Sequence, residues 1–85
     1  MKPEPEIRAA LRDWVVRTNG QVSPADIRDD TAILERRIVK SLDLMDLILF
    51  LEELRGLPID VEALKPGVFR SIDAIWTNFF AGARP

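Results

Sequence analysis

Ser41 stands at the junction of two unlike stretches. Arg36, Arg37 and Lys40 precede it, and the acidic, leucine-rich run Leu42-Asp43-Leu44-Met45-Asp46-Leu47 follows. A serine at the head of such a run is first of all a helix cap, because its side-chain oxygen accepts from a backbone N–H that has no partner inside the helix. No cysteine and no histidine occur. Thiolate nucleophiles, disulfides, zinc–thiolate sites, a conventional Ser-His-Asp triad and His-ligated metals are therefore excluded. Carboxylates, hydroxyls and Lys or Arg remain, and the carboxylates fall mostly on strongly helical faces. The chain is expected not to be an enzyme in its own right, with no catalytic residue and no metal ligand to assign.

Composition bounds the rest. The 85 residues, 47% apolar and 31% charged, suit one globular domain spanning 1–85. A net charge of −2 argues against a nucleic-acid binder, which needs a concentrated basic face. The longest apolar run, residues 47–51, falls far short of the roughly 20 residues that span a bilayer. The opening Met-Lys-Pro-Glu-Pro-Glu lacks the apolar core of a signal peptide. A cytoplasmic protein without membrane attachment, monomeric in solution, is expected.

The elements that must position Ser41 are helical, since no stretch alternates as a half-buried strand does. A first helix is predicted over residues 5–19. Pro5 suits its first turn, Glu4 and Glu6 favour its positive end, and Asn19-Gly20 stops it. Ile7, Leu11, Val15 and Thr18, with Trp14 beside them, make one inward stripe. Residues 21–40 read as a long connection with a short turn of helix at Ser23-Pro24-Ala25-Asp26 and a turn at Asp29-Asp30-Thr31. Ile33, Leu34, Ile38 and Val39 are apolar enough to tuck it onto a bundle. Loops of this length tend to be functional or to pack as a unit.

The second helix is predicted over residues 41–54, with Ser41 as its cap and Gly56 past its end. Asp43, Asp46 and Glu53 share one face. Leu44, Leu47, Ile48 and Leu51 form one flank, and Leu42, Met45 and Leu49 the other, so packing on two sides is expected. Asp60 should cap a short helix through Lys65, and a last helix is predicted over residues 68–80, with a frayed end at 81–85. Three main helices, one short helix and a long first loop make an all-α, four-helix up-and-down bundle.

The order of these features is similar to that of the acyl carrier protein family. The likeness is carried by Ile27-Arg-Asp-Asp-Thr-Ala-Ile-Leu, by Lys40-Ser41-Leu42-Asp43-Leu44-Met45-Asp46-Leu47, and by Leu51-Glu52-Glu53. Ile59-Asp60 and Ser71-Ile72-Asp73-Ala74-Ile75 extend it over nearly the whole chain. The resemblance implies that Ser41 bears 4′-phosphopantetheine as a phosphodiester, added by a phosphopantetheinyl transferase. It further implies that the terminal thiol carries acyl intermediates as thioesters between separate enzymes of fatty-acid-like, polyketide-like or other specialised biosynthesis. Such a group would bring sulfur to a chain that has no cysteine, and a phosphate is well tolerated at a helix N-terminus. The family usually has Asp before the serine, where this chain has Lys40. The basic entrance implies specialised partners or a dedicated transferase.

Partner enzymes, a loading ligase among them, are expected to dock on Lys40, Leu42, Asp43, Asp46, Phe50 and Glu53. Charges of this kind steer encounter and fix orientation. Phe50 falls inside the acidic arc as a candidate anchor, unless helix tilt or the C-terminal segment covers it. Met45, Leu49, Ile59, Leu64 and Ile72 are the expected lining of a cleft for apolar cargo, although core packing selects the same residue types. Two other functions fit the same helices. One is an aminoacyl or peptidyl carrier served by a dedicated ligase, and the other is an unmodified helical interaction module.

Overall fold

The computed structural model describes residues 2–81. It holds helices α1 (Glu4–Asn19), α2 (Leu44–Arg55) and α3 (Ile72–Phe79), and single 3₁₀ turns at Pro24–Asp26, Ser41–Asp43 and Val61–Ala63. No strand occurs among the described residues. The expected all-α class is observed, and the expected frayed end falls mostly on residues 82–85, outside those described. No described helix is long and apolar enough to cross a membrane.

α1 forms as its sequence dictates. Pro5 lies in the first turn with Glu4 and Glu6, where a missing N–H costs nothing and negative charge meets the positive helix end. Gly20 adopts φ 77 and donates its N–H to the Val16 carbonyl at 2.9 Å, closing the helix in the left-handed conformation that glycine favours. Ile7, Leu11, Trp14 and Val15 are buried, whereas Thr18 is exposed at the end of the stripe.

α3 begins later than the apolar spacing predicts. Val68 and Phe69 are buried, but a turn through Gly67 (φ 84) delivers them and the helix starts only at Ile72. Ser71 makes the start, its hydroxyl accepting the Ala74 N–H at 3.1 Å. Phe69 stacks on Phe79 and Trp76 on Phe80, with ring centroids 5.4 and 5.6 Å apart. The short helix expected from Asp60 through Lys65 contracts likewise to the 3₁₀ turn Val61–Ala63, with the Asp60 carboxylate accepting the Glu62 N–H at 3.1 Å.

α2 packs on one flank, not two. Leu47, Ile48 and Leu51 are buried, but Leu42, Met45 and Leu49 are 89%, 60% and 57% exposed. The core against the buried flank is completed by α1, α3 and the first loop, which contributes Ile27, Ile33, Ile38 and Val39. Residues 20–40 thus pack onto the core through these side chains, as their apolar content predicts, with Leu34 half-buried at the margin.

Polar bonds hold that loop in place. The Asp29 carboxylate accepts from Arg8 at 2.8 Å and also from Arg12, and its carbonyl takes the Asp73 N–H at 2.8 Å. Arg8 reaches further, to Glu4 at 2.8 Å and Asp73 at 2.6 Å. These carboxylates, Asp73 foremost, raise the proton affinity of the Arg8 guanidinium. Arg12 donates to the Ile27 carbonyl at 3.1 Å, and the Ile33 N–H to the Arg70 carbonyl at 3.0 Å. One aspartate therefore ties α1, the loop and the start of α3 together. Within the first 3₁₀ turn, bonds from the Ser23 N–H (2.9 Å) and hydroxyl (3.1 Å) hold the Asp26 carboxyl below its usual range.

Asp29→Ala is expected to lower the unfolding free energy by roughly 1–3 kcal/mol, the scale of charge-assisted hydrogen bonds. Urea unfolding measures it. Arg8→Ala should then cost less in the Asp29→Ala background than in the parent, whereas strict additivity would show that the two do not act as a unit.

Candidate functional site

Ser41 owes its place to the turn that precedes it. The Arg36 N–H bonds the Ala32 carbonyl at 3.0 Å, and the Ile38 and Val39 N–H groups both bond the Ile33 carbonyl, at 2.9 and 3.0 Å. Closing the turn this way puts Arg37 at φ 57, the one left-handed non-glycine among the described residues. A side chain costs about 1–2 kcal/mol in that conformation. The Asn19 amide donates to the Ile38 carbonyl at 3.0 Å, fastening the turn to the end of α1.

The chain then extends through Lys40 (φ −96, ψ 161) and enters the 3₁₀ turn Ser41–Asp43, which runs into α2. Lys40, not Ser41, therefore occupies the cap position. The capping bond comes from Asp43, whose carboxylate accepts the Lys40 N–H at 3.1 Å. The expectation of Ser41 as cap fails because a 3₁₀ turn precedes the helix: Ser41 opens that turn behind Lys40, and Asp43 stands at the N-cap of α2. Ser41 is exposed and takes no part in capping.

Two clefts flank this entry. One, of about 450 Å³, is lined by Leu34, Val39, Leu42 and Leu44 together with Arg37, Lys40 and Ser41. The other, of about 410 Å³, lies towards the end of α1, with Thr18, Asn19 and Gln21 on one side and Arg37, Lys40 and Asp43 on the other. Arg37, Lys40 and Leu42 form the ridge between them.

The residues read from sequence as a docking face separate into three groups. Lys40, Leu42, Asp46 and Glu53 are exposed, and Asp43 is half-buried and engaged at the helix entry. Phe50 is half-buried, its ring stacked on Trp14 with centroids 6.2 Å apart and planes inclined by 24°. Covering by α1 is thus what draws it out of the acidic arc. Arg36, Arg37, Lys40, Asp46 and Glu53 enter no ion pair among the described residues. Glu52, on the far side of α2, instead accepts the Ile59 N–H at 2.8 Å and holds the chain that leaves the helix.

The five residues expected to line a cargo cleft do not meet in either cleft. Ile59 and Ile72 are core, Leu64 is half-buried, and Met45 and Leu49 lie on the uncovered flank of α2. Sequence reasoning placed Leu34 and Val39 only as loop packing and missed them as cleft walls. Arg37 was visible as part of a basic cluster, but no spacing rule marks a left-handed arginine. No protein-family model, no curated protein and no solved structure matches the chain.

Replacing Arg37 by glycine should relieve the backbone and raise the unfolding free energy by roughly 0.5–1 kcal/mol, after allowance for the greater freedom of glycine in the unfolded chain. A fall in stability on thermal or urea unfolding would mean that the guanidinium itself supports the fold. Phe50→Ala should cost roughly 1–2 kcal/mol, less than the 3–5 typical of a fully buried phenylalanine, and should change Trp14 fluorescence. Unchanged stability and emission would return Phe50 to the role of a free surface anchor.

Proposed function

We propose that the chain is a carrier protein of the acyl-carrier type, a cytoplasmic monomer that bears 4′-phosphopantetheine on Ser41 and has no catalytic activity of its own. On this reading the short Val61–Ala63 turn is the reduced third helix of a four-helix bundle. The observation that carries the proposal is the position of Ser41: exposed, not spent on capping, and sharing a cleft with two cations and four aliphatic side chains.

The residues present fit such a group. Arg37 and Lys40 supply positive charge beside the hydroxyl that would be esterified, and the run from Ser41 into α2 presents the positive end of a helix to an attached phosphate. When attached, the group supplies a terminal thiol that holds an acyl chain as a thioester. The protein's own part is positional. Asn19 and the Ile33 carbonyl fix the turn before Ser41, and Asp43 fixes the helix entry behind it. Asp46 and Glu53, exposed and without ion pairs among the described residues, orient a phosphopantetheinyl transferase, an acyl- or aminoacyl-loading ligase and downstream enzymes.

A second reading draws on the uncovered flank of Leu42, Met45 and Leu49. An exposed apolar strip on a helix is also what an unmodified interaction module presents to a partner. Intact mass after co-expression with a broad-specificity phosphopantetheinyl transferase separates the two. The carrier reading expects a gain of one phosphopantetheinyl group that Ser41→Ala abolishes. No gain, or a gain that survives Ser41→Ala, favours the module and overturns the assignment of Ser41.

A further inference from the structure

The polar cleft of about 410 Å³ towards the end of α1 has no part in the carrier reading. Arg37 and Lys40 line it together with Thr18 and Gln21, and all four residues are exposed. Neither cation enters an ion pair among the described residues. Asp43 is the one carboxylate in the lining, half-buried and engaged by the Lys40 N–H. The same lining includes Leu42, at 89% the most exposed of the large apolar residues described.

Charge changes sign along this face. At about 3.6 residues per turn, Asp46 and Glu53 come round to nearly the same side as Leu42. Both are exposed and without ion pairs among the described residues. Free cations therefore precede Leu42, and free anions follow it over roughly 16 Å of helix, at about 1.5 Å per residue. That order argues against a nucleic-acid backbone or an anionic lipid surface as the occupant. Either presents negative charge throughout, and Asp46 and Glu53 would repel it where Arg37 and Lys40 attract. A folded protein can place carboxylates opposite the cations and withhold them from the anions.

We infer that this cleft and Leu42 form a docking surface for a partner protein that presents carboxylates. Arg37 and Lys40 pair with those carboxylates, and Leu42 enters an apolar pocket between the two charged zones. Ion pairs at exposed sites are individually weak. Their part is to steer the encounter and set its direction, while Leu42 supplies buried apolar area. Direction follows from the change of sign: turned end for end, the same partner would bring its carboxylates to Asp46 and Glu53. A face acidic throughout makes no such distinction. The inference does not depend on modification of Ser41, which is not in the lining of this cleft, and it applies to the carrier and to the interaction module alike.

The test uses the full, unmodified chain at low ionic strength, with N-acetyl hexaglutamate and N-acetyl hexalysine as probes and amide NMR as the readout. Hexaglutamate should shift residues 18–21 and 37–42, and hexalysine those around Asp46 and Glu53. Arg37→Gly combined with Lys40→Gln should weaken hexaglutamate about tenfold, a few-fold for each exposed pair lost. The hexalysine response should survive in that variant and so report that it is folded. Extending the acidic probe by two leucines should tighten it, and Leu42→Ala should cancel that gain alone. Hexaglutamate shifts that are absent, or that persist in the double variant, would overturn the surface, as would leucines that add nothing. Equal shifts from sodium acetate at the same carboxylate concentration would reduce it to a small-anion pocket. Tighter binding of phosphatidylglycerol vesicles or duplex DNA than of the acidic peptide would contradict a protein occupant.

Discussion

Asp29 is the residue through which the two halves of the structure are tied. A connection as long as residues 20–40 would ordinarily be the least constrained part of so small a domain. Here its midpoint is bonded to α1 through Arg8 and Arg12 and to α3 through the Asp73 N–H. Once that point is fixed, Ile27 and Ile33 are set in the core on either side of it, and the turn that follows has a rigid base. The Arg8 side chain is 20% exposed and that of Asp29 33%, so the bond between them is screened less than a surface pair is. The same cation lies 5.7 Å from the Trp76 ring centroid and so touches the aromatic edge of α3 as well.

The consequence is felt at Ser41. The Ile33 N–H is anchored to the Arg70 carbonyl, its carbonyl accepts the Ile38 and Val39 N–H groups, and Arg37 is left-handed inside the turn so closed. From there only Val39 and Lys40 separate the turn from the serine. Exposure of Ser41 is thus not slackness in the chain, because both sides are held, by the Asn19 amide before it and the Asp43 carboxylate after it. A hydroxyl presented from a fixed frame suits recognition by a separate enzyme, since little ordering remains to be done on docking.

Much of this was legible in the residues themselves. α1 could be read nearly to its ends because Pro5 and Gly20 mark both, and the loop apolars were read correctly as packing. Ser41 was found, but as a cap, since a 3₁₀ turn inserted before the helix leaves no trace in helical spacing. The start of α3 was missed because Val68 and Phe69 are buried in any case, and burial pattern alone does not separate a turn from a helix. Two-sided packing of α2 was over-read for a related reason. Leu42, Met45 and Leu49 look like core on a helical wheel, yet the loop fills the core from one side and leaves them outside. The Asp29 network and the Arg37 cleft join residues distant in sequence, which no local periodicity reveals.

On the proposed carrier function, the Ser41 hydroxyl is the oxygen that would receive the phosphate ester. Tryptic cleavage after Lys40 and Arg55 isolates residues 41–55, in which Ser41 is the one hydroxyl-bearing side chain. Peptide mapping of protein co-expressed with a phosphopantetheinyl transferase should therefore find the whole added mass on that peptide, or on the longer one produced when the modified serine blocks cleavage at Lys40. Added mass on any peptide that lacks Ser41, or none on the chain at all, would contradict the account.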